Sequence, residues 1–243
     1  MSRNSRCICG SGRKQKDCCV YDNIASNKLH AFDGDIGKLR YRMDLAYTEK
    51  KIKHNEEIKT DISKFLETQN LKSSCKKNCS YCCNHIISSN LTEAECAVFY
   101  LYNDPKKLNL FVKNFENWKK KIDDSIIDYY AICESVTTEL RIDFFNMAFG
   151  CPFLDNKKCM IYPIRPWLCS EHVVTSPPKL CRPSMNSNVL LIKNNFPMAL
   201  IDRDPMFFTT KFIGVAFPFA VTVNFILRDG FKFYEWLSAN VRS

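Results

Sequence analysis

Glycine is scarce in this chain, with 7 in 243 residues and no two adjacent. Neither G-x-G-x-x-G nor G-x-x-x-x-G-K-[ST] occurs, so dinucleotide and phosphate sites built on such glycines are excluded. G-x-S-x-G and H-E-x-x-H are also missing, which removes the usual signatures of α/β-hydrolases and zinc proteases. Long apolar runs are lacking too. The most apolar stretch, Phe212 to Leu227, is interrupted by Pro218 and Asn224, whereas a membrane-spanning helix needs about 20 apolar residues. It is expected to be buried core, and no membrane span is expected. The N-terminus has no apolar stretch of the secretory kind, so a cytoplasmic location is expected.

What the chain has in abundance is cysteine, with 14 residues. In a reducing compartment, clustered cysteines are more often metal ligands than disulfides. Most of them fall into two constellations. The first is Cys7-Ile-Cys9-Gly-Ser-Gly-Arg-Lys-Gln-Lys-Asp-Cys18-Cys19. Four thiolates satisfy a tetrahedral zinc ion. Gly10 and Gly12 permit the tight turn after the first pair, and Arg13, Lys14 and Lys16 offset the thiolate charge. These residues resemble the SEC-C motif, C-x-C-G-S-G-x-K-x-K-x-C-[CH]. That resemblance implies zinc held by Cys7, Cys9, Cys18 and Cys19, and a surface for a protein partner.

The second constellation has two halves: Cys75-Lys-Lys-Asn-Cys79-Ser-Tyr-Cys82-Cys83, and the stretch containing Cys151, Cys159, Cys169 and Cys181. Asp155 to Lys158 reads as a hairpin turn that brings Cys151 and Cys159 together, and Pro163 and Pro166 stiffen the approach to Cys169. Metal joining the two halves would close a long loop, and metal–thiolate binding worth on the order of 10 kcal/mol outweighs the slowly growing closure cost.

Cys75 to Cys83, Cys-Pro-Phe-Leu at 151–154 and Cys159-Met-Ile-Tyr-Pro-Ile-Arg-Pro-Trp-Leu-Cys169 resemble the YkgJ-type cysteine-cluster family, a zinc- or iron-chelating domain. The resemblance spans about 71–183. It implies metal ligation by Cys75, Cys79, Cys82, Cys83, Cys151, Cys159, Cys169 and Cys181. The sequence departs from the family pattern in its first spacing, C-x3-C, and in Ser170, where the family usually has arginine. Thiolate-only sets suit both zinc and iron–sulfur clusters such as 4Fe-4S, so the second site is read as an iron–sulfur cluster or zinc. The cysteine-cluster lysine N-methylases are similar and imply an iron–sulfur enzyme as the alternative, with metal delivery or redox sensing as another. C75-x3-C79-x2-C82 also matches radical-SAM spacing, without the paired glycines that usually accompany it. No catalytic acid–base pair stands out.

The fold expected is α+β and mainly helical. It comprises a zinc knot at 1–22, an amphipathic helical segment at 23–70, the cysteine-cluster domain at 71–185, and an apolar, aromatic segment at 186–243 packing on the core. Ile36, Leu39, Met43 and Ala46, then Ile58, Ile62, Phe65 and Leu66, recur at helical spacing, predicting one long or two shorter helices. Thr92 and Glu95 read as a capping box. A helical stretch is expected over 108–147, strands or buried segments at 189–192 and in parts of 196–227, a turn at Asp229-Gly230 and a helix over 231–239. Phe207, Phe208, Phe212, Phe217, Phe219 and Phe225 are expected in the core, as are Cys96 and Cys133. His85 and His172 lie beside the cysteines and are read as supporting or surface groups, either of which could complete a site if a cysteine is not used; Arg165 is placed to donate toward sulfur or a carboxylate or to form a structural ion pair, and Tyr162 is expected to pack as an apolar lid. The formal charge is +9, yet the basic runs at 50–53, 76–77 and 119–121 accompany no nucleic-acid module. Nucleic acid is therefore not an expected partner, apart from a ribosome or acidic partner met by the basic knot.

Overall fold

The computed structural model describes residues 29–76, 78–120, 150–181 and 217–240. Cys7, Cys9, Cys18, Cys19 and Cys133 lie outside them, as do the stretches expected to be regular at 121–147 and 189–216. Within the described residues the architecture is mainly helical, with two short two-stranded ladders.

The first helix, α1, runs unbroken over Gly34–Thr68. No proline interrupts it, and its end is set by Asn70 at φ 51°, with Leu71 N–H donating to the Leu66 carbonyl at 2.8 Å and Asn70 N–H to Glu67 at 3.0 Å. Asparagine tolerates the left-handed conformation that this closure requires. In the C-terminal half Ile58, Ile62 and Leu66 are buried as the periodicity predicts, although Phe65 is exposed. The N-terminal half overturns its expectation: Ile36 and Leu39 are 41% and 51% exposed, Ala46 is exposed and Met43 is half-buried. The buried stripe there is Arg40, Asp44, Thr48, Lys51 and Asn55. Two buried ion pairs account for much of this choice of face, because the opposing helix supplies carboxylates to Arg40 and Lys51.

That helix, α2 (Leu91–Tyr102), is buried on nearly every side. Its start corrects the expected capping box. Asn90 is the cap, accepting from Glu93 N–H at 2.8 Å, while Glu95 lies inside the helix, paired with Arg40. A cap must lie just outside the helix in extended backbone, as Asn90 does. Helix α3 (Pro105–Lys119) is capped by Asp104, which accepts from Lys107 N–H at 3.2 Å, with Pro105 at the position where a missing N–H costs nothing. It buries Leu108, Phe111, Phe115 and Trp118.

Strand β1 (Ser88–Ser89) pairs antiparallel with β4 (Phe217–Pro218), in register Ser88 with Pro218 and Ser89 with Phe217. Strands β2 (Leu154–Asp155) and β3 (Lys158–Cys159) form the expected hairpin, with Asn156 and Lys157 at φ 47° and 66°. Positive φ at both central residues is the turn that matches the strand twist. A short helix α4 (Trp167–Glu171) follows.

After β4 the chain forms α5 (Phe219–Asp229) and α6 (Phe231–Asn240), separated by Gly230 at φ 56°. The strand alternative for 219–227 is corrected to helix: burial of Val221, Val223, Phe225, Ile226 and Leu227 overrides their intrinsic β preference. Phe217, Phe219 and Phe225 join the core with Phe111, Phe153 and Phe233. Among the described residues no helix is long and apolar enough to cross a membrane.

Candidate metal centre

The two cysteine blocks of the second constellation are laced together by backbone. Ser74 N–H donates to the Val174 carbonyl at 2.8 Å, and its hydroxyl donates to the Thr175 carbonyl at 2.8 Å. Cys151 N–H donates to the Cys83 carbonyl at 2.7 Å. The His85 ring pairs through Nε2 with the Cys181 carbonyl at 2.9 Å. Each tie ends on, or next to, a cysteine predicted as a ligand or lies beside the stretch that carries one.

Local sequence makes these ends available. Asn78, at φ 67°, reverses the chain between Cys75 and Cys79, and Cys79 N–H closes the turn on the Lys76 carbonyl at 2.9 Å. A single turn of 3-10 helix, Tyr81–Asn84, then carries Cys82 and Cys83. In the second block the β2–β3 hairpin positions Cys151 and Cys159. Pro166 precedes α4, which carries Cys169, and a 3-10 turn over Pro178–Cys181 presents the last cysteine.

Cys82 is the electrical centre of the group. Its thiol is held well above the ordinary range by a hydrogen bond with Cys83, by burial and by Cys83's charge. Burial raises Cys75, Cys151, Cys159, Cys169 and Cys181, and a charge on Cys82 raises each of them further; Cys181 is pushed up to about 11. Cys79 acts on Cys75 and Cys181. The Arg165 guanidinium works the other way, favouring thiolate at Cys82, Cys159 and Cys169. Arg165 stacks on Tyr162 at 4.0 Å from the ring centroid. Tyr162 itself is 50% exposed, so the expected apolar lid is corrected to an aromatic shelf under the arginine.

Thiols that raise one another's proton affinity stay protonated until a cation enters among them, and a thiophilic metal displaces those protons. The donor set therefore fits zinc or iron–sulfur chemistry. The described thiols are all free. Among the described residues, however, no three Cys, His, Asp or Glu side chains form a finished metal-binding group. The chain brings the donors into one region without closing a ligand shell.

Of the two histidines, His85 and His172 face one another with ring centroids 6.2 Å apart, and burial lowers the proton affinity of both. His172 Nε2 is buried with no hydrogen-bond partner among the described residues. Cys96 stands apart from the cluster, fully buried, its thiol pushed up to about 12 by burial and 3.4 Å from the Thr48 hydroxyl.

Sequence reasoning missed the polar residues that support the cysteine loops. Asn55 and Lys51 on α1, Glu93 on α2 and Asn114 on α3 all contact these loops or bond to groups that do. The signal was present as a polar stripe at helical spacing, but a stripe alone does not say which face is buried. Compared with known proteins, the chain matches no family model, no curated protein and no solved structure.

Proposed function

We propose that the chain is a thiolate metal-binding protein whose second cysteine constellation holds an iron–sulfur cluster or zinc, as its resemblance to the YkgJ-type cysteine-cluster family implies. The observation that carries this reading is the lacing of the 74–85 block to the 151–181 block. Backbone bonds at Ser74–Val174 and Cys83–Cys151, with the His85 ring on the Cys181 carbonyl, tie together the two stretches that carry the eight candidate cysteines, which supports their acting as one donor set. Loops rich in proline and poor in regular structure do not hold such an arrangement cheaply, and metal binding supplies the missing stabilisation. Cys7, Cys9, Cys18 and Cys19 form a separate zinc knot in this reading, resembling the SEC-C motif and offering a protein partner its basic surface. A reducing compartment such as the cytoplasm is the setting in which these thiols stay available.

Anaerobic purification without chelators, followed by analysis for zinc, iron and acid-labile sulfide alongside a visible spectrum, tests the reading. One zinc with several irons and matching sulfide supports a zinc knot beside an iron–sulfur centre. Two or three zincs without iron support a wholly zinc-bound protein. A folded, soluble chain that retains neither metal and binds neither on reconstitution overturns the proposal.

A further inference from the structure

We infer that Asn55 is a positioning residue for the metal-binding thiols, acting through the loop that carries Cys169; the inference rests on the metal-binding reading above. Asn55 lies on the buried face of α1, 4% exposed. Its Nδ2 donates to the carbonyls of Pro163 at 2.9 Å and Arg165 at 3.1 Å. Its Oδ1 accepts from the Ser170 hydroxyl at 3.0 Å. Ser170 is 1% exposed and directly follows Cys169.

The loop's composition explains why an amide is needed. Pro163 and Pro166 have no N–H to offer a backbone ladder, so the carbonyls between them lack the partners that a strand or helix would provide. A carboxamide is the neutral side chain that supplies two donors and an acceptor in one plane. One residue on a rigid helix thus fixes two carbonyls ahead of Cys169 and the hydroxyl behind it.

The device is repeated on the other arm of the centre. Asn114 Nδ2, from α3, donates to the carbonyls of Pro152 at 3.0 Å and Leu154 at 2.9 Å, directly after Cys151 and at the start of the hairpin that leads to Cys159. One turn before Asn55, Lys51 pairs with Glu93 at 2.8 Å, and Glu93 accepts from Trp167 N–H at 2.7 Å, at the opening of the helix that holds Cys169. Helical elements therefore grip the loops on both sides of the thiols by their backbones. Holding ligand-bearing loops in place before metal arrives reduces the ordering cost of binding.

A cobalt(II) titration of the full chain tests the inference, in a background carrying Cys18→Ser and Cys19→Ser so that only the second set of thiols is read. Affinity and sulfur-to-cobalt charge-transfer absorbance are compared across a cycle of Asn55→Ala, Cys169→Ser and the double variant. Asn55→Ala is expected to weaken cobalt binding about 10-fold, the lower end for supporting residues of a metal site, with unchanged far-ultraviolet circular dichroism. In the Cys169→Ser background the same change is expected to cost little more, because its effect runs through that thiol. Equal affinity for Asn55→Ala and its parent, or an equal loss in both backgrounds, overturns the positioning role. If Cys169→Ser abolishes binding, comparison with Thr60→Ala, exposed on the same helix, decides: a loss confined to Asn55→Ala supports the inference, and no loss sinks it. Should Asn55→Ala misfold, Ser170→Ala takes its place, with a smaller loss expected and parental affinity counting against the role. A parent that binds no cobalt removes the metal-binding reading and this inference together, an outcome distinct from a binding parent with unaffected variants.

Discussion

The backbone N–H of Cys151 donates to the carbonyl of Cys83 at 2.7 Å. This bond joins the two cysteine blocks at the last residue of one and the first of the other. It fixes backbones and not sulfurs, so on the proposed metal-binding reading the sulfurs are ordered by the cation.

Removal of a thiol from the group should therefore act differently from removal of a thiol in the core. Cys159→Ala is expected to lose bound metal and to aggregate or melt at markedly lower temperature, because the remaining buried thiols lose a co-ligand. Cys96→Ala, in a fully buried site beside Thr48, is expected to keep its metal and lose about 1 kcal/mol from the small cavity. Metal content and thermal unfolding of the two variants side by side check the distinction, and equal metal retention by both would contradict it.

The link between α5 and α6 depends on one residue. Gly230 has φ 56° and ψ −128°, a conformation rarely adopted by residues with a Cβ. A Cβ there would also collide with the backbone carbonyl of His30. His30 N–H donates to the Leu227 carbonyl at 2.9 Å, so this close approach is part of how the start of the described chain seats on α5. Gly230→Ala is expected to destabilise by about 2 kcal/mol or more, from backbone strain plus the displaced contact. Urea unfolding should show the midpoint fall with little change in slope.

His54 gives the fold a dependence on pH that is separate from the thiols. Burial, then the charge of Lys51, lowers its proton affinity from the ordinary value of 6.5, while Glu57 and Glu93 oppose the shift. The unfolded chain thus takes up the proton first as pH falls. Stability from the neutral imidazole is complete above pH 6.5 and is lost as pH drops through the folded-state value. His54→Gln should consequently narrow the gap between unfolding midpoints measured at about pH 7.5 and about pH 5.5. An unchanged gap would place the acid sensitivity elsewhere.

The cysteine blocks were easier to pick out in the sequence than the polar residues that hold their loops. The Asp155 to Lys158 turn, the Asp229-Gly230 break and the Ile58, Ile62, Leu66 face each follow from local rules, because turn residues and apolar spacing act over a few positions. The N-terminal half of α1 did not. There Ile36 and Leu39 form a plausible apolar stripe, but the buried face is chosen by Glu95 and Glu93 on another helix, which offer Arg40 and Lys51 their counter-charges. Such pairing is tertiary, and the polar stripe that marks it locally does not say which face of the helix is buried. Asn55 was hidden for the same reason: its partners are the carbonyls of Pro163 and Arg165, far along the chain. Tyr162 was misjudged because an aromatic next to an arginine can stack on it in the open as readily as it can cover a site.

Glu93 concentrates this tertiary dependence in one carboxylate. It lies 3% exposed between the Lys51 ammonium at 2.8 Å and the Trp167 backbone N–H at 2.7 Å. Alanine at this position would strand a buried lysine charge and leave Trp167 N–H without its acceptor, and breaking a buried pair from one side typically costs about 3–5 kcal/mol. Glu93→Gln keeps an acceptor for Trp167 but not the charge, so it should recover part of that loss. Pairing Glu93→Gln with Lys51→Met removes the stranded charge as well and is expected to be more stable than Glu93→Ala. Urea unfolding of the three variants orders them, with Glu93→Ala lowest. If Glu93→Ala unfolds at the wild-type midpoint, the carboxylate does not bind α1 to the Cys169 helix, and the loop must be held by Asn55 and its neighbours alone.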